Sequence, residues 1–270
     1  DSITIDIESG MFGLLGPNGA SKTTLMNILV TLLEPTSGTV TIDGLDIRRD
    51  KAKIRALIGY LPQELDVFPK LKAWEFLEYS ARLAGIMSKR ERKRMVDSLL
   101  EKVRLSDDRG TFCNDLSGGM KRRLGIAQAL IGNPRLLVVD EPTAGLDPEE
   151  RIRFRGLITD LASGDVTIIL STHIVGDISS SCRDMAMLDR GRIVYRGAPE
   201  GLVEKARGHT WQVKVTREGL DRLKMRYPVV TTIPAAGGFD VELVAERLEG
   251  YEGASIEPNL EHAYVYFHEF

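Results

Sequence analysis

The stretch that most narrows the possible folds runs from Gly16 to Thr24. It reads Gly-Pro-Asn-Gly-Ala-Ser-Lys-Thr-Thr between two apolar segments. Met11 to Leu15 before it is a short continuous apolar run of the kind a buried parallel strand shows, and Leu25 to Leu33 after it has helical apolar spacing. Strand, glycine loop and helix in that order turn backbone N–H groups and the positive end of a helix toward one anion. In that reading Lys22 reaches the β- and γ-phosphates of a nucleotide and Thr23 holds Mg²⁺. The same residues also fit an ordinary glycine turn that caps a helix. One position departs from the pattern G-x-x-x-x-G-K-[ST]: Ser21 stands where a glycine precedes the lysine. If residue 21 adopts positive φ, a serine there costs about 1–2 kcal/mol of strain and narrows the space beside the phosphates.

The chain has 270 residues, enough for one large core or for one core with a small appended domain. Lys and Arg number 36 against 39 Asp and Glu, so no basic field argues for a nucleic-acid partner, and none is expected. Two cysteines, Cys113 and Cys182, are too few and too far apart for a disulfide framework, and a reducing, cytosolic compartment fits best. No apolar run approaches the roughly 20 residues needed to span a bilayer. Direct membrane insertion is therefore not expected.

Ile3, Ile5 and Ile7 alternate with polar residues, the period of a half-buried strand. After the loop, the helix is expected to stop at Glu34-Pro35. Thr39 to Asp43 then reads as a strand closed by Gly44, and Ile54 to Leu61 as another, whose exit at Pro62 leaves Gln63 at a strand edge. From Leu65 to Asp115 the pattern turns helical. Ala73 to Ala84 ends at Gly85, and Ser88 with Glu91 forms a capping box for a helix that buries Met95, Val96, Leu99, Leu100 and Val103. The basic run Lys89 to Arg94 reads as that helix's solvated face.

Leu116-Ser117-Gly118-Gly119-Met120 opens a further helix, a second anion-ready start that also fits a plain N-cap eased by glycines. Arg135 to Val139 reads as a strand, apolar from Leu136 on, that delivers Asp140 and Glu141 at its C-terminal end, where ligands sit in open parallel sheets. Asp140 suits Mg²⁺ through water, and Glu141 suits polarisation of an attacking water. Asp147 and Pro148 are the N-cap and first residue of the next helix, and Val166 to Leu170 is a buried strand followed by Ser171-Thr172-His173. His173 is placed to contact a γ-phosphate. Beyond His209, Trp211 to Val215 alternates like a strand, Leu220 to Tyr227 reads as a helix, and Gly237-Gly238 precedes a short element.

Together these residues resemble the ATP-binding cassette family, the nucleotide-binding domains of ABC transporters. Gly16 to Thr24 resembles its Walker A, Gln63 its Q-loop, Leu116 to Met120 its signature, Leu136 to Glu141 its Walker B with the catalytic glutamate, Gly145-Leu146-Asp147 its D-loop and His173 its switch histidine. The segments with Trp74-Glu75-Phe76-Leu77 and Gly191 to Gly197 resemble, more narrowly, ATPase subunits of bacterial ABC-2-type exporters.

The resemblance implies an α/β fold: a P-loop NTPase (RecA-like) core with a mainly parallel sheet, an antiparallel β part and a helical insertion subdomain. It implies an ATPase domain over 1–208, with its core in 1–64 and 116–208 and its helical part about 65–115. Residues 209–270 are then a small α/β appendage. ATP and Mg²⁺ are the implied ligands. Gly16, Pro17, Asn18, Gly19, Ala20, Ser21, Lys22, Thr23 and Thr24 hold nucleotide, joined by Ser117, Gly118, Gly119 and Asp147 from a second cassette in a head-to-tail homo- or heterodimer. Thr23, Gln63 and Asp140 are the metal residues, and Glu141, His173 and Gln63 the catalytic ones. A membrane permease is the implied partner, which places the chain in the cytoplasm, peripheral on the inner face of the membrane.

Ser21 departs from the family and puts hydrolysis in question. The family also stacks adenine on an aromatic upstream of Walker A. Phe12 lies within the buried strand and reads as core, so the chain is read as truncated before Asp1, with ATP affinity weaker by about 1–3 kcal/mol than in an intact domain. Two other readings stand beside the exporter subunit: a soluble cassette ATPase acting on ribosomes or nucleic acid, and a nucleotide-binding module impaired in hydrolysis by Ser21.

Overall fold

The computed structural model describes residues 3–164 and 166–270; Asp1, the expected start of the ATPase domain, lies outside them with Ser2 and Asp165. In chain order the elements are β1 (Met11–Leu15), α1 (Lys22–Leu29), β2 (Thr41–Ile42), β3 (Leu45–Asp46), α2 (Lys51–Leu57), β4 (Ile58–Leu61), α3 (Ala73–Leu83), α4 (Lys89–Lys102), α5 (Gly118–Ala129), β5 (Leu136–Asp140), α6 (Pro148–Ala162) and β6 (Thr167–Thr172). They continue with α7 (Val175–Ser179), β7 (Asp184–Asp189), β8 (Arg192–Gly197), α8 (Pro199–Lys205), β9 (Thr210–Val215), α9 (Arg217–Arg226), β10 (Val229–Ala235), β11 (Gly238–Val244), β12 (Gly253–Ser255) and α10 (Leu260–Glu269). Two compact units result, one of Asp1–His173 with Ala186–Val194 and the other of Ile174–Met185 with Tyr195–Phe270.

The first unit is built on a sheet of order β4-β5-β6-β1-β7-β8. The pairs β4/β5, β5/β6 and β6/β1 are parallel. All five residues of β1 and of β5 are buried, which fits the apolar run of Met11 to Leu15 and that of Leu136 to Val139 before Asp140. Register decides what the sheet presents. Leu15 lies opposite Thr172 and Asp140 opposite Ser171, so the ends of β1, β5 and β6 are level. The chain leaves those three ends as the glycine loop, as Glu141 and as His173. Phe12, Leu14, Met26, Val138, Ile169 and Leu188 form the core between α1 and the sheet, and Phe12 is core as expected.

Four expected elements of this unit are corrected. Ile3, Ile5 and Ile7 pack on that core without pairing as a strand, because burial alone does not supply a hydrogen-bonded neighbour. Helix α1 ends at Leu29 rather than at Glu34, since Thr31 turns left-handed at φ 64° and the N–H groups of Leu32 and Leu33 both return to the Asn27 carbonyl. The strand over Thr39 to Asp43 shrinks to β2, which hairpins into β3 through Asp43 and Gly44 at φ 55° and 77°, the primed turn that fits strand twist. Ile54 to Leu61 is half helix, because Ile54, Leu57 and Ile58 fit a helical face as well as a strand.

Helices α3 and α4 pack as a pair. Gly85 at φ 85° ends the first, and Ser88 Oγ accepts the Glu91 N–H at 3.4 Å to start the second, whose Val96, Leu99 and Leu100 are buried. The basic run is not all solvated. Arg92 is 8% exposed, donating to Glu78 at 3.1 Å and to the Ile86 and Met87 carbonyls.

The second unit has an antiparallel sheet of order β10-β11-β9-β12. Helix α9 connects β9 to β10 across the intervening β11 and packs Leu220 and Leu223 on Val213, Val241 and Leu243. Gly237, at φ 81°, turns β10 into β11. Cys182 and Cys113 are both free thiols, and burial pushes the Cys182 thiol up to about 12. Among the described residues, no helix is long and apolar enough to cross a membrane.

Candidate functional site

The loop after β1 is fixed by backbone contacts. Gly16 donates to the Thr172 carbonyl at 3.3 Å, and a Cβ on it would lie 2.2 Å from the Leu188 carbonyl oxygen, so no other residue fits there. Pro17 is half-buried, Asn18 and Gly19 are exposed, and Ala20 closes the turn by donating to the Pro17 carbonyl at 3.2 Å. Ser21 sits at φ 75°, ψ 21°, the left-handed conformation that makes a serine costly. It is the N-cap of α1 by position only. Its side chain makes no cap bond and the first helical turn has no acidic residue, so the positive end of α1 is left open. Thr23 and Thr24 are exposed on that turn.

Lys22 is only 4% exposed. Its Nζ donates to the Gly16 and Pro17 carbonyls at 2.7 and 3.0 Å and pairs with Glu141 Oε1 at 3.0 Å. Glu141 Oε2 meets His173 Nδ1 at 2.5 Å. Glu141 is itself left-handed, at φ 46°, with its N–H directed to the Ser171 carbonyl at 3.1 Å. A carboxylate thus takes the position on Lys22 that an anionic ligand would take. Asp140 is fully buried; Ser171 Oγ donates to its Oδ1, while its Oδ2 has no hydrogen-bond partner. A buried carboxylate oxygen left without a donor fits a cation or its bound water, and the donor set is the oxygen set Mg²⁺ takes. Nearby, burial raises the Tyr60 phenol above its ordinary value, with the Asp140 charge adding to it. Burial lowers the Arg122 guanidinium against the opposing pull of Asp140 and Glu64.

The other expected site residues form a second group. Ser117 Oγ accepts the Met120 N–H at 3.2 Å and starts α5, while Asp147 Oδ1 accepts the Glu150 N–H at 2.9 Å and starts α6. Gly118 faces Leu146 of the loop before α6, and Gly119 is pressed against Glu150. Gln63 is exposed just past β4, and the carbonyl of its neighbour Pro62 accepts from Arg122 at 3.0 Å. So Gly16, Pro17, Lys22, Asp140, Glu141 and His173 gather at one point, whereas Ser117, Gly118, Gly119 and Asp147 gather at another.

Three residues near these groups escaped the sequence reading: Ser171, Arg122 and Glu150. Ser171 was readable in principle, because pairing the two apolar strands by their ends sets it opposite Asp140. The other two carry no local signal.

A parallel sheet with a glycine loop, an open helix start and paired carboxylates at its strand ends defines a P-loop nucleotide-binding protein. The family model described as ABC transporter matches residues 1–144. Nod factor export ATP-binding protein I of Cupriavidus metallidurans is 38% identical over 209 residues, 77% of this chain and 69% of that protein. ABC transporter ATP-binding protein NatA of Bacillus subtilis is 35% identical over 207 residues, 76% and 84% of the two chains. The probable multidrug ABC transporter ATP-binding protein YbhF of Escherichia coli is 36% identical over 214 residues, but this chain spans only 37% of its length. Among solved structures, a dimeric ATP-binding cassette in a post-hydrolysis state with ADP and Pi is similar at a TM-score of 0.65, with 28% identity, covering 72% of this chain and 88% of that one. The cbiO1 protein of Clostridium perfringens, part of an ABC transporter complex, is similar at 0.69 with 26% identity, covering 83% and 87%. The chain belongs to the ABC transporter family, whose ATP-binding cassettes are ATPases.

Proposed function

We propose that this chain binds and hydrolyses ATP and powers export through separate membrane permease subunits, by closing head to tail on a second cassette with ATP at the interface. The observation that carries the reading is the buried Lys22 ammonium held between two loop carbonyls and the Glu141 carboxylate, beside an uncapped helix start. A triphosphate satisfies Lys22 and the open N–H groups at once, and releases Glu141 to polarise an attacking water. His173, already bonded to Glu141, orients that carboxylate and reaches the γ-phosphate. Thr23, Asp140 and Gln63 are the residues that would hold Mg²⁺, which offsets phosphate charge when bound.

Two separate groups of site residues in one chain make sense if they complete each other across an interface. Ser117, Gly118, Gly119 and Asp147 of one copy then cover the nucleotide on Lys22 of the other. The permease has a candidate surface on the segment that follows Gln63 in the chain: Phe68 and Tyr79, with ring centroids 5.4 Å apart, are 51% and 44% exposed, and Leu83 is 71% exposed. Cargo is selected by the permease, because the cassette contacts nucleotide.

The test is Mg²⁺-dependent ATP hydrolysis and ATP binding by the chain, by Lys22→Ala and by Ser21→Gly over a range of protein concentrations. Hydrolysis by the chain and lost binding in Lys22→Ala are expected. Retained affinity in Lys22→Ala overturns the phosphate-loop assignment, and activity confined to Ser21→Gly reduces this chain to a binding module.

A further inference from the structure

The second group of site residues has a member that its motifs do not include. Glu150 lies on the first turn of α6, yet its carboxylate is 13% exposed and turned onto the start of α5. A Cβ on Gly119 would lie 2.1 Å from Glu150 Oε2, 2.5 Å from its Cδ and 2.7 Å from its Cγ. The carboxylate cannot swing clear without leaving two arginines: Arg153 donates to Oε1 at 2.9 Å, and Arg123 Nε stands 3.6 Å from Oε2. Arg123 in turn donates to the Val103 and Arg104 carbonyls at the end of α4, at 3.1 and 2.9 Å. One residue earlier on α5, Gly118 faces Leu146. The glycine turn and the Gly145-Leu146-Asp147 loop are therefore seated on each other, with Glu150 as the wedge.

We propose that Glu150 is a positioning residue that locks the Ser117-Gly118-Gly119 turn to the Asp147 loop within one chain, so that both meet the partner's nucleotide as one body. The inference rests on the dimeric reading above. It gives Gly119 a reason to be glycine that lies inside the chain: any side chain there displaces Glu150 and breaks the link through Arg123. Without the wedge the two loops order separately when the dimer closes, and closure carries the entropy of ordering both. Nucleotide binding to the chain's own Lys22 does not depend on it.

The experiment compares the chain with the isosteric Glu150→Gln and with Glu150→Ala. Affinity for a fluorescent ATP analogue is measured at low protein concentration, and the protein concentration that gives half-maximal turnover is measured separately. Both variants are expected to keep nucleotide affinity within about twofold and to raise the half-activating concentration by about tenfold. A half-activating concentration unchanged in both overturns the proposal. A second measurement needs no nucleotide: Gly119→Ala is expected to lower the melting temperature, and Glu150→Ala in the same chain to restore it. A loss that Glu150→Ala leaves in place overturns the proposal as well. If the unaltered chain turns over ATP at a rate per chain independent of concentration, the dimeric reading fails by itself, and the melting cycle still decides whether Glu150 is wedged on Gly119.

Discussion

At Ser21 and Glu141 the backbone holds two ordinary residues in the left-handed region, at φ 75° and 46°. Each costs about 1–3 kcal/mol, and each borders the Lys22 ammonium in sequence or in space. Ser21→Gly relieves its strain but frees the unfolded chain, so a net gain of roughly 0.5–1 kcal/mol in stability is expected, read by denaturant unfolding; a loss would mean that the serine side chain contributes a contact of its own. Glu141→Gln removes the charge now paired with Lys22. ATP should then bind at least as tightly as to the unaltered chain while hydrolysis slows by about 10²–10⁴, and unchanged turnover would remove Glu141 from its role. The strain at residue 21 was legible, because the lost glycine marks where the loop must turn left-handed. That at residue 141 was not: a glutamate after an apolar strand carries no turn signature, and its conformation follows from the Ser171 carbonyl that its N–H must reach.

Among the elements, α5 joins several parts of the candidate site. Its first turn carries Ser117 to Gly119, its Arg122 holds the Pro62 carbonyl next to Gln63, and its Gly125 lets it lie against the same segment. A Cβ on Gly125 would come 2.6 Å from Leu61 and 2.7 Å from Leu65. Gly125→Val is accordingly expected to cost about 1–3 kcal/mol in stability and to lower turnover by displacing Gln63; full activity would show that the approach of α5 to this segment is not needed. Elements with punctuated ends were legible, as with Gly85 after α3, Ser88 before α4, Ser117 before α5 and Asp147 with Pro148 at α6. Spacing alone found β9, where Trp211 to Val215 alternate as expected, but misled elsewhere. Ile54, Leu57 and Ile58 satisfy two periods, and Ile3, Ile5 and Ile7 show a face without showing a partner. Long-range contacts such as Arg123 with Glu150 depend on how α5 meets α6, which no local pattern encodes.

For the whole molecule, the level ends of β1, β5 and β6 gather one group of candidate site residues, and the starts of α5 and α6 present a second; in the proposed function these are the two halves of one nucleotide site. That division is what the proposed assembly rests on: ATP held by one group would be covered by the other from a second chain. Binding energy that falls on the joined state alone shifts the population toward it, and hydrolysis removes the shift. The measurement that bears most directly on this is the mass of Glu141→Gln in solution, by light scattering, with Mg²⁺ and either ATP or ADP at saturating concentration. ATP is expected to give twice the mass of one chain and ADP a single chain. A single-chain mass with ATP bound would contradict the account.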